Sequence, residues 1–259
     1  MRQIIKVGFI LVLMASGSAF SADPVEGLYL NLLGQISHAS TPDINFTINN
    51  LVSSGTIQLG PVGGGVGAAL GYKIKNFRVE GELLFNINNY GSLKTGSCTL
   101  ISPKVLGPEG VCPDAYVATG LGFNGNVIGL YGLVNAYYDF QFTNDSGDSS
   151  NFVPYLGAGF GGAMIRHQAS FLSNDQCVSL GTCAPIINES FSTSNTGFAA
   201  QGIVGFYYYL DDFTTLGLDF RYVSTLSFNK NNTSTNAVND TFGISTINIT
   251  ANFALSKAD

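Results

Sequence analysis

Charged residues are scarce in this chain of 259 residues. Lys and Arg number 11, Asp and Glu number 17, and together they make up 11% of the sequence, whereas about a quarter is usual in a soluble globular protein. The chain also has no Trp and only two His. This shortage of charge disfavours an ordinary water-soluble enzyme, because a surface in contact with water needs more charged side chains than these.

Long apolar runs are also missing after the N-terminal segment, although 45% of the chain is apolar. A membrane-spanning helix needs about 20 consecutive apolar residues, so the sequence excludes a helical membrane protein. Apolar residues that are abundant but dispersed are typical of β-strands, in which successive side chains face opposite sides.

Residues 1–21 have the pattern of a secretory signal peptide, in which Arg2 and Lys6 precede a short apolar run and then small residues. We expect cleavage after Ser21, which leaves residues 22–259 as one β-barrel domain. A membrane anchor is the alternative, but the apolar run is too short to span a bilayer.

Loss of those two basic residues leaves 9 basic and 17 acidic residues, a net charge of −8. Nucleic acid is excluded as a partner, because phosphate binding needs clustered positive charge. Two G-x-G-x-x-G strings begin at Gly120 and Gly157, but neither precedes the helical pattern that a dinucleotide site requires. We predict no cofactor and no metal.

A two-residue period organises the rest of the chain. Over residues 77–89, Phe, Val, Leu and Ile occupy odd positions, whereas Arg78, Glu80 and Glu82 occupy even ones. The same period predicts eight strands, at residues 25–37, 62–75, 77–89, 124–142, 152–168, 197–210, 216–228 and 246–255.

The connections between these strands alternate in length. Short connections are expected at 75–76, 143–151 and 211–213, and long ones at 38–61, 90–123, 169–196 and 229–241. This layout predicts an all-β fold, an eight-stranded antiparallel transmembrane β-barrel with short periplasmic turns, long extracellular loops and both termini in the periplasm. A soluble sandwich or lipocalin-like barrel has the same two-residue period. We disfavour it because the polar face carries too few charged residues for a surface in contact with water.

Seven charged residues fall on the inward face of this barrel, and we expect them to pair there because an unpaired buried charge is costly. Glycines on the same face of residues 62–75 and 152–168 leave room for bulky neighbours. Tyrosine clusters at 137–138 and 207–209 are interpreted as part of the periplasmic aromatic girdle. The predicted lumen cluster contains Lys73, Arg78, Glu80, Glu82, Asp139, Asp219 and Arg221.

Four cysteines in an exported chain favour disulfides over metal binding. They are Cys98, Cys112, Cys177 and Cys183, and three pairings are open. Pairing Cys98 with Cys112 and Cys177 with Cys183 would close only short segments of the chain. Such bonds would lie in the second and third outer loops and restrain those loops rather than a core.

The two histidines, His38 and His167, each precede a serine near the predicted outer rim. Eight-stranded lipid hydrolases place such a pair at the membrane edge, but the surrounding residues match no hydrolase motif. We therefore interpret both as loop-boundary histidines in contact with water or lipid headgroups, and predict no enzymatic activity.

Three stretches resemble a known family. They are VPYLGAGFGGAMI at 153–165, FAAQGIVGFYYYL at 198–210 and LGLDFRYV at 216–223, and they are similar to strands of the OmpA-like and opacity-type porin superfamily, particularly its major surface antigen branch. Phe220 stands where a Tyr is usual, and the chain runs past Phe253 to Asp259 instead of ending on an aromatic residue.

The resemblance implies an integral surface protein of the bacterial outer membrane, with loops for adhesion or antigenic display and no catalytic residues. A narrow porin for small solutes is the alternative, and a lipid-modifying hydrolase is less favoured. The expected partners are outer-membrane lipid, the barrel-assembly machinery and a host or cell-surface ligand at the loops.

Overall fold

The computed structural model describes residues 26–41, 43–48, 51–60, 62–101, 108–142, 150–173, 188–227 and 241–255. The expected signal peptide and the pair Cys177 and Cys183 lie outside these ranges. Within them, no helix is long and apolar enough to cross a membrane.

Twelve strands and one short helix make up the described chain. Eight strands form the barrel: β1 (Gly27–Ala39), β4 (Gly63–Ile74), β5 (Phe77–Thr95), β8 (Leu121–Asp139), β9 (Phe152–Ser173), β10 (Asn188–Tyr209), β11 (Thr214–Ser227) and β12 (Thr241–Ala254). The others are β2 (Asp43–Ile48), β3 (Leu51–Leu59), β6 (Cys98–Leu100), β7 (Glu109–Gly110) and helix α1 (Asp114–Ala118).

The eight barrel strands form a closed antiparallel ring. Each pairs with the barrel strand before and after it, and β1 pairs with both β4 and β12. The pairing of β5 with β8 completes the circuit. The fold class predicted from the alternating sequence is therefore confirmed, with all eight strands found.

The outward face of the ring forms an apolar band. On β5 it runs from Phe77 to Ile87, and every outward residue between them is apolar or glycine. Ten residues at about 3.3 Å per residue and a strand tilt of about 40° give a height of about 25 Å, as expected for a band in contact with lipid. We take the parts of the strands within this band as the membrane-spanning segments.

Polar outward residues mark the upper edge of the band on the wall formed by β5, β8, β9 and β10. Counted away from the short turns, the last apolar outward residues before this edge are Ile87, Ile128, Met164 and Phe198, and the next outward residue on each strand is polar. The strands continue past this edge, so β5, β9 and β10 are longer than their alternation predicts. An apolar outward face cannot reveal these extensions, because the outward residues there are polar and the apolar ones, such as Tyr90, Ala169 and Phe171, point inward.

Strand and helix also occupy parts of two predicted long connections. The hairpin of β2 and β3 pairs with the outer end of β5, and β6 pairs with β5 further along. Together with β7 and α1, these elements form what we call the outer cap. The cap places side chains over the end of the barrel opposite the short turns.

Inward glycines make room in the narrow interior. A Cβ at Gly71 would overlap the ring of Tyr29, and a Cβ at Gly157 would overlap the ring of Tyr137. The barrel therefore accommodates two inward tyrosines because the neighbouring strand has no side chain at the facing position.

Candidate functional site

The seven charged residues predicted for the lumen all point into the barrel. They lie in the half nearer the short turns, and none is more than 5% exposed. The structure joins them into one polar layer, which we call the charge network. Its charged members are Lys73, Arg78, Glu80, Glu82, Asp139, Asp219 and Arg221.

Asp139 is the centre of one part of the charge network. Its carboxylate accepts from Nε of Arg78 at 2.9 Å and lies 3.3 Å from Nζ of Lys73. The lysine also donates to the hydroxyl of Tyr209 at 2.7 Å. These contacts connect β4, β5, β8 and β10 across the lumen.

Arg221 is the centre of the other part. Its Nε and Nη2 donate to the two oxygens of Asp219 at 2.9 Å each, and Nη1 donates to Glu82 at 2.5 Å. Asp219 also accepts from Tyr155 at 3.0 Å, and Glu82 accepts from the amide of Asn135 at 3.1 Å. Each carboxylate therefore has both a counter-charge and a neutral donor.

Glu80 lies between the two parts. It accepts from the hydroxyls of Tyr29 at 2.7 Å and Tyr137 at 2.9 Å, and Nη1 of Arg78 is 3.3 Å away. Because burial of a charge is repaid only when the charge is paired and hydrogen-bonded, these donors explain how four carboxylates can occupy the interior of a narrow barrel.

Tyrosines supply the rest of the polar layer, and the sequence analysis missed this role. The centroids of the Tyr137, Tyr155 and Tyr207 rings lie 4.4, 4.9 and 4.5 Å from Cζ of Arg78. The faces of the three rings stabilise the guanidinium through cation–π interactions. The assignment of Tyr137 and Tyr207 to an aromatic girdle is therefore wrong, and Tyr138 points outward instead.

The strand period could have shown this. Tyr207 and Tyr209 have the same parity as the polar Gln201 and the opposite parity to Val204 and Phe206, so they belong on the inner face. Three adjacent tyrosines show no alternation in residue type, so the face of each one follows only from its position relative to the neighbouring residues of the strand.

The short-turn end of the lumen opens into a small cavity of about 40 Å³. Lys73, Arg78, Tyr207 and Tyr209 line its inner side. A cavity of this size has room for only a few waters. The charge network is a packed layer in which most hydrogen-bonding groups are directed at one another, while Nη2 of Arg78 is buried without a hydrogen-bond partner among the described residues.

An apolar layer lies directly beyond the charge network. Leu84 and Val223 follow Glu82 and Arg221 by two residues on the same inward faces, and both are almost fully buried. From there one continuous cluster of buried side chains extends to the outer cap. We call it the apolar cluster; its barrel members include Leu33, Leu84, Leu133, Ile165, Val223 and Ile244.

The outer cap completes this cluster from above. Ile57 on β3, Leu93 on β5 and Leu100 on β6 are fully buried, and Tyr116 of α1 is 2% exposed. Phe123 stacks on Tyr90 with centroids 5.6 Å apart. These contacts hold the cap on the barrel, because the buried side chains of the cap are continuous with those of the barrel interior.

The disulfide between Cys98 and Cys112 lies in this cap, with Cα atoms 4.6 Å apart, and it belongs to the sequence-neighbour arrangement among the three pairings that the sequence left open. Its setting differs from the prediction. Cys98 is 1% exposed and belongs to the apolar cluster, and Cys112 packs against it. The bond therefore fastens a cap segment to a core, whereas the prediction had it restrain loops alone.

The two histidines lie on opposite strands of the ring. His38 is exposed on the outer face of β1. His167 on β9 points inward, is 2% exposed, and places Nδ1 2.7 Å from the hydroxyl of Tyr90. The interpretation of His167 as a loop-boundary residue in contact with water is therefore wrong, because β9 continues beyond the predicted end of the strand.

His167 lies beyond the apolar band, since its neighbours Arg166 and Gln168 are outward and polar. Burial between Tyr90 and the ring of Phe242 lowers the pKa of His167 to about 4. The imidazole is accordingly neutral near pH 7. A charged state would have to be desolvated without a carboxylate partner.

Candidate metal ligands do not converge in the described part of the chain. No group of three His, Cys, Asp or Glu residues there has the arrangement of a metal site. The chemistry that the interior supports is ion pairing, hydrogen bonding and packing.

The sequence matches one protein family over nearly its full length. Residues 7–253 match the family described as "Outer membrane protein beta-barrel domain". No curated protein matches the chain.

Several solved structures are similar to this chain. Neisserial surface protein A is 16% identical, with 89% of this chain and 99% of that chain covered and a TM-score of 0.40. Ail, the attachment invasion locus protein of Yersinia pestis, solved with the heparin analogue sucrose octasulfate, is 13% identical over 88% and 98%, with a TM-score of 0.41. OprG from Pseudomonas aeruginosa is 13% identical over 89% and 97%, also at 0.41. Identities this low do not carry a ligand or an activity from one barrel to another.

Proposed function

Because the chain belongs to the outer membrane protein beta-barrel domain family, and because its interior is packed from the short turns to the cap, we propose that it is a non-conducting display barrel. In this function the membrane-spanning ring anchors an ordered cap at the cell surface, where the cap meets partners outside the cell. The observation that carries the proposal is the succession of charge network, apolar cluster and cap inside one ring.

The packing of the interior also bears on the narrow-porin alternative. A porin needs a continuous water path, and charged groups along such a path remain hydrated. Here Arg78, Glu82 and Arg221 are bonded to protein groups. Beyond them the interior is filled by the apolar cluster, and Ser37, Asn86 and Asn88, which lie among its members, hydrogen-bond to one another. Display therefore agrees with the geometry better than conduction does.

The hydrolase alternative has less support. A lipid hydrolase needs a nucleophile and a base within hydrogen-bond reach of each other. His167 is hydrogen-bonded to Tyr90 inside the cluster, and His38 lies on the opposite wall. We assign no catalytic step to either residue.

The proposal also covers the cellular location of the protein and its branch of the family. Removal of residues 1–21 on export, insertion by the barrel-assembly machinery and periplasmic termini agree with an even strand number and with the layout of the turns. The motifs at 153–165, 198–210 and 216–223 support the major surface antigen branch of the opacity-type porin superfamily.

Labelling of intact cells tests the display function. Val117 on α1 is 57% exposed at the cap, and Phe213 is 58% exposed in a short turn. In cells that express Val117→Cys, we expect a membrane-impermeant maleimide to react before permeabilisation. The matched variant Phe213→Cys should react only afterwards. Equal labelling of the two variants, or the reverse order, would reject the proposed orientation.

A further inference from the structure

A concave polar surface lies on the outside of the barrel, above the apolar band. It encloses about 710 Å³ and is built on β5, β8, β9 and β10. Its base is a registered row in which Asn89 pairs with Asn126, Asn126 with Gln168, and Gln168 with Ser192. We call these four residues the polar row.

A second registered row lies further from the membrane. Asn124 pairs with Ser170, and Ser170 pairs with Ser190. Both rows line the concave surface. Seven uncharged polar side chains are thereby presented by four neighbouring strands, and carboxamides and hydroxyls can both donate and accept hydrogen bonds.

Arg166 lies next to the polar row on the membrane side. It pairs with Ile128 on β8 and Ser194 on β10, so it stands where the outward residues change from apolar to polar. Its Nε donates to Oγ of Ser192 at 3.1 Å. With the Gln168 amide oriented to satisfy both groups, its oxygen accepts from Nε and Nη2 of Arg166 at 3.2 Å.

The charge of this surface is unusual for the chain. The whole sequence has a formal charge of −6, yet the outward positions of the two rows and of Arg166 include no acid. Among the described residues, the ion pairs all lie inside the barrel and none involves Arg166. An exposed guanidinium held by neutral partners keeps its charge available for an anion.

The position of the surface selects the kind of ligand. Arginine matches the geometry of a phosphate through two parallel hydrogen bonds, and here it lies at the depth of lipid headgroups. The amides and hydroxyls of the polar row begin two residues further along the strands, where the sugar of a glycolipid would project from its phosphate. We propose that Arg166 and the polar row bind the phosphate and sugar hydroxyls of a phosphorylated glycolipid in the outer leaflet.

Native mass spectrometry of the full-length protein tests this site. The folded barrel is placed in phosphatidylcholine nanodiscs that contain a small fraction of either a bisphosphorylated glucosamine-disaccharide lipid or phosphatidylglycerol. We expect the wild type to retain the glycolipid after release from the disc. Arg166→Gln should lower the retained fraction about tenfold, since a charge-assisted contact of this kind accounts for about one decade of affinity.

Two further variants separate sugar recognition from charge attraction. The double variant Asn126→Ala, Gln168→Ala keeps the arginine, and we expect it to lose the preference for glycolipid over phosphatidylglycerol. His38→Gln is the matched control, because His38 follows the last apolar outward residue of β1, on the opposite wall. It should retain the glycolipid as the wild type does. Heat-modifiable migration on gels establishes that each variant is folded.

Three results would overturn the inference. Equal retention of phosphatidylglycerol and glycolipid by the wild type would reject sugar recognition. Unchanged retention in Arg166→Gln would reject the phosphate contact. Binding of free glucosamine 1-phosphate to barrels in phosphatidylcholine alone, with loss in the same variants, would assign the site to a soluble sugar phosphate in place of a membrane lipid.

Discussion

The two halves of the barrel interior are filled by different chemistry on the same strands: paired charges in one half, and in the other an apolar cluster interspersed with uncharged polar side chains such as Ser37, Asn86 and Asn88. Near the short turns, Glu82 and Arg221 belong to a network of paired charges; two residues further along, Leu84 and Val223 belong to an apolar cluster. The strand backbone fixes only which face a side chain occupies. The interior can therefore be closed either by mutual neutralisation or by close packing, and the two halves should respond differently to substitution.

The largest effect is expected from removal of a charge. Arg221→Met leaves Glu82 and Asp219 buried without their shared counter-charge, which should cost about 3–5 kcal/mol in the free energy of unfolding. Urea unfolding of the protein folded in lipid vesicles measures this. The control Lys94→Met changes an exposed cation and should cost less than about 1 kcal/mol. Similar losses for both variants would show that the charge network is not a compensated buried layer.

The apolar half offers two adjacent leucines that differ in direction. Leu84 is 2% exposed inside the barrel, whereas Leu83 is 67% exposed on the outer face. Leu84→Ala should destabilise the protein by about 3 kcal/mol because it leaves a cavity in close packing. Leu83→Ala should cost less than about 1 kcal/mol, since lipid fills the space. The same urea titration compares them, and equal costs would contradict the assigned parity of β5.

Acid should affect the apolar half through His167. Its pKa is about 4 in the folded protein and about 6.5 when unfolded, so between these values the unfolded chain binds more protons. This contribution to stability is complete above pH 6.5 and is lost as the pH falls towards 4. At pH 5 the loss should be about 2 kcal/mol relative to pH 8.

His167→Gln supplies the comparison, because it removes the titration of this histidine and leaves the other titratable groups in place. Subtraction of the two unfolding profiles between pH 8 and pH 5 isolates the histidine. Parallel profiles would show that His167 is hydrated and not enclosed by Tyr90 and Phe242.

The smallest effect on global unfolding is expected from the cap disulfide. The bond closes a segment with a sequence separation of 14, so its loss should favour local opening of the cap by about 3 kcal/mol. The ring pairs through other strands and should unfold at nearly the same urea concentration. Limited proteolysis of Cys98→Ser, Cys112→Ser should therefore show new cleavage between residues 96 and 120. Cleavage spread evenly over the barrel strands would contradict a local role.

The sequence could predict which charged residues line the half of the interior near the short turns, because their inward direction follows from the alternation along the strands. Arg78, Glu80 and Glu82 alternate with apolar neighbours, so their inward direction and their need for partners both follow from local pattern. Their actual partners do not. The contact of Arg221 with Glu82 joins residues 139 positions apart, and it depends on strand order and register around the closed ring.

The cap could not be predicted by the same reasoning. Ile57, Leu93, Leu100 and Tyr116 come from four separate elements with no shared period, and their common core exists only after the ring has closed. The strand extensions carry polar residues on their outward face and buried apolar residues on their inward face, so the outward apolar series ends before the strands do. The wrong placement of His167 follows directly from this early end.

Single-channel recording tests the closed interior most directly. Wild-type protein and the variant without the cap disulfide would be inserted into planar bilayers after heat-modifiable migration has shown that both are folded. We predict no discrete conductance steps from either, because the charge network and the apolar layer fill the ring below the cap. Reproducible steps from the wild type would contradict the account and establish the barrel as a pore.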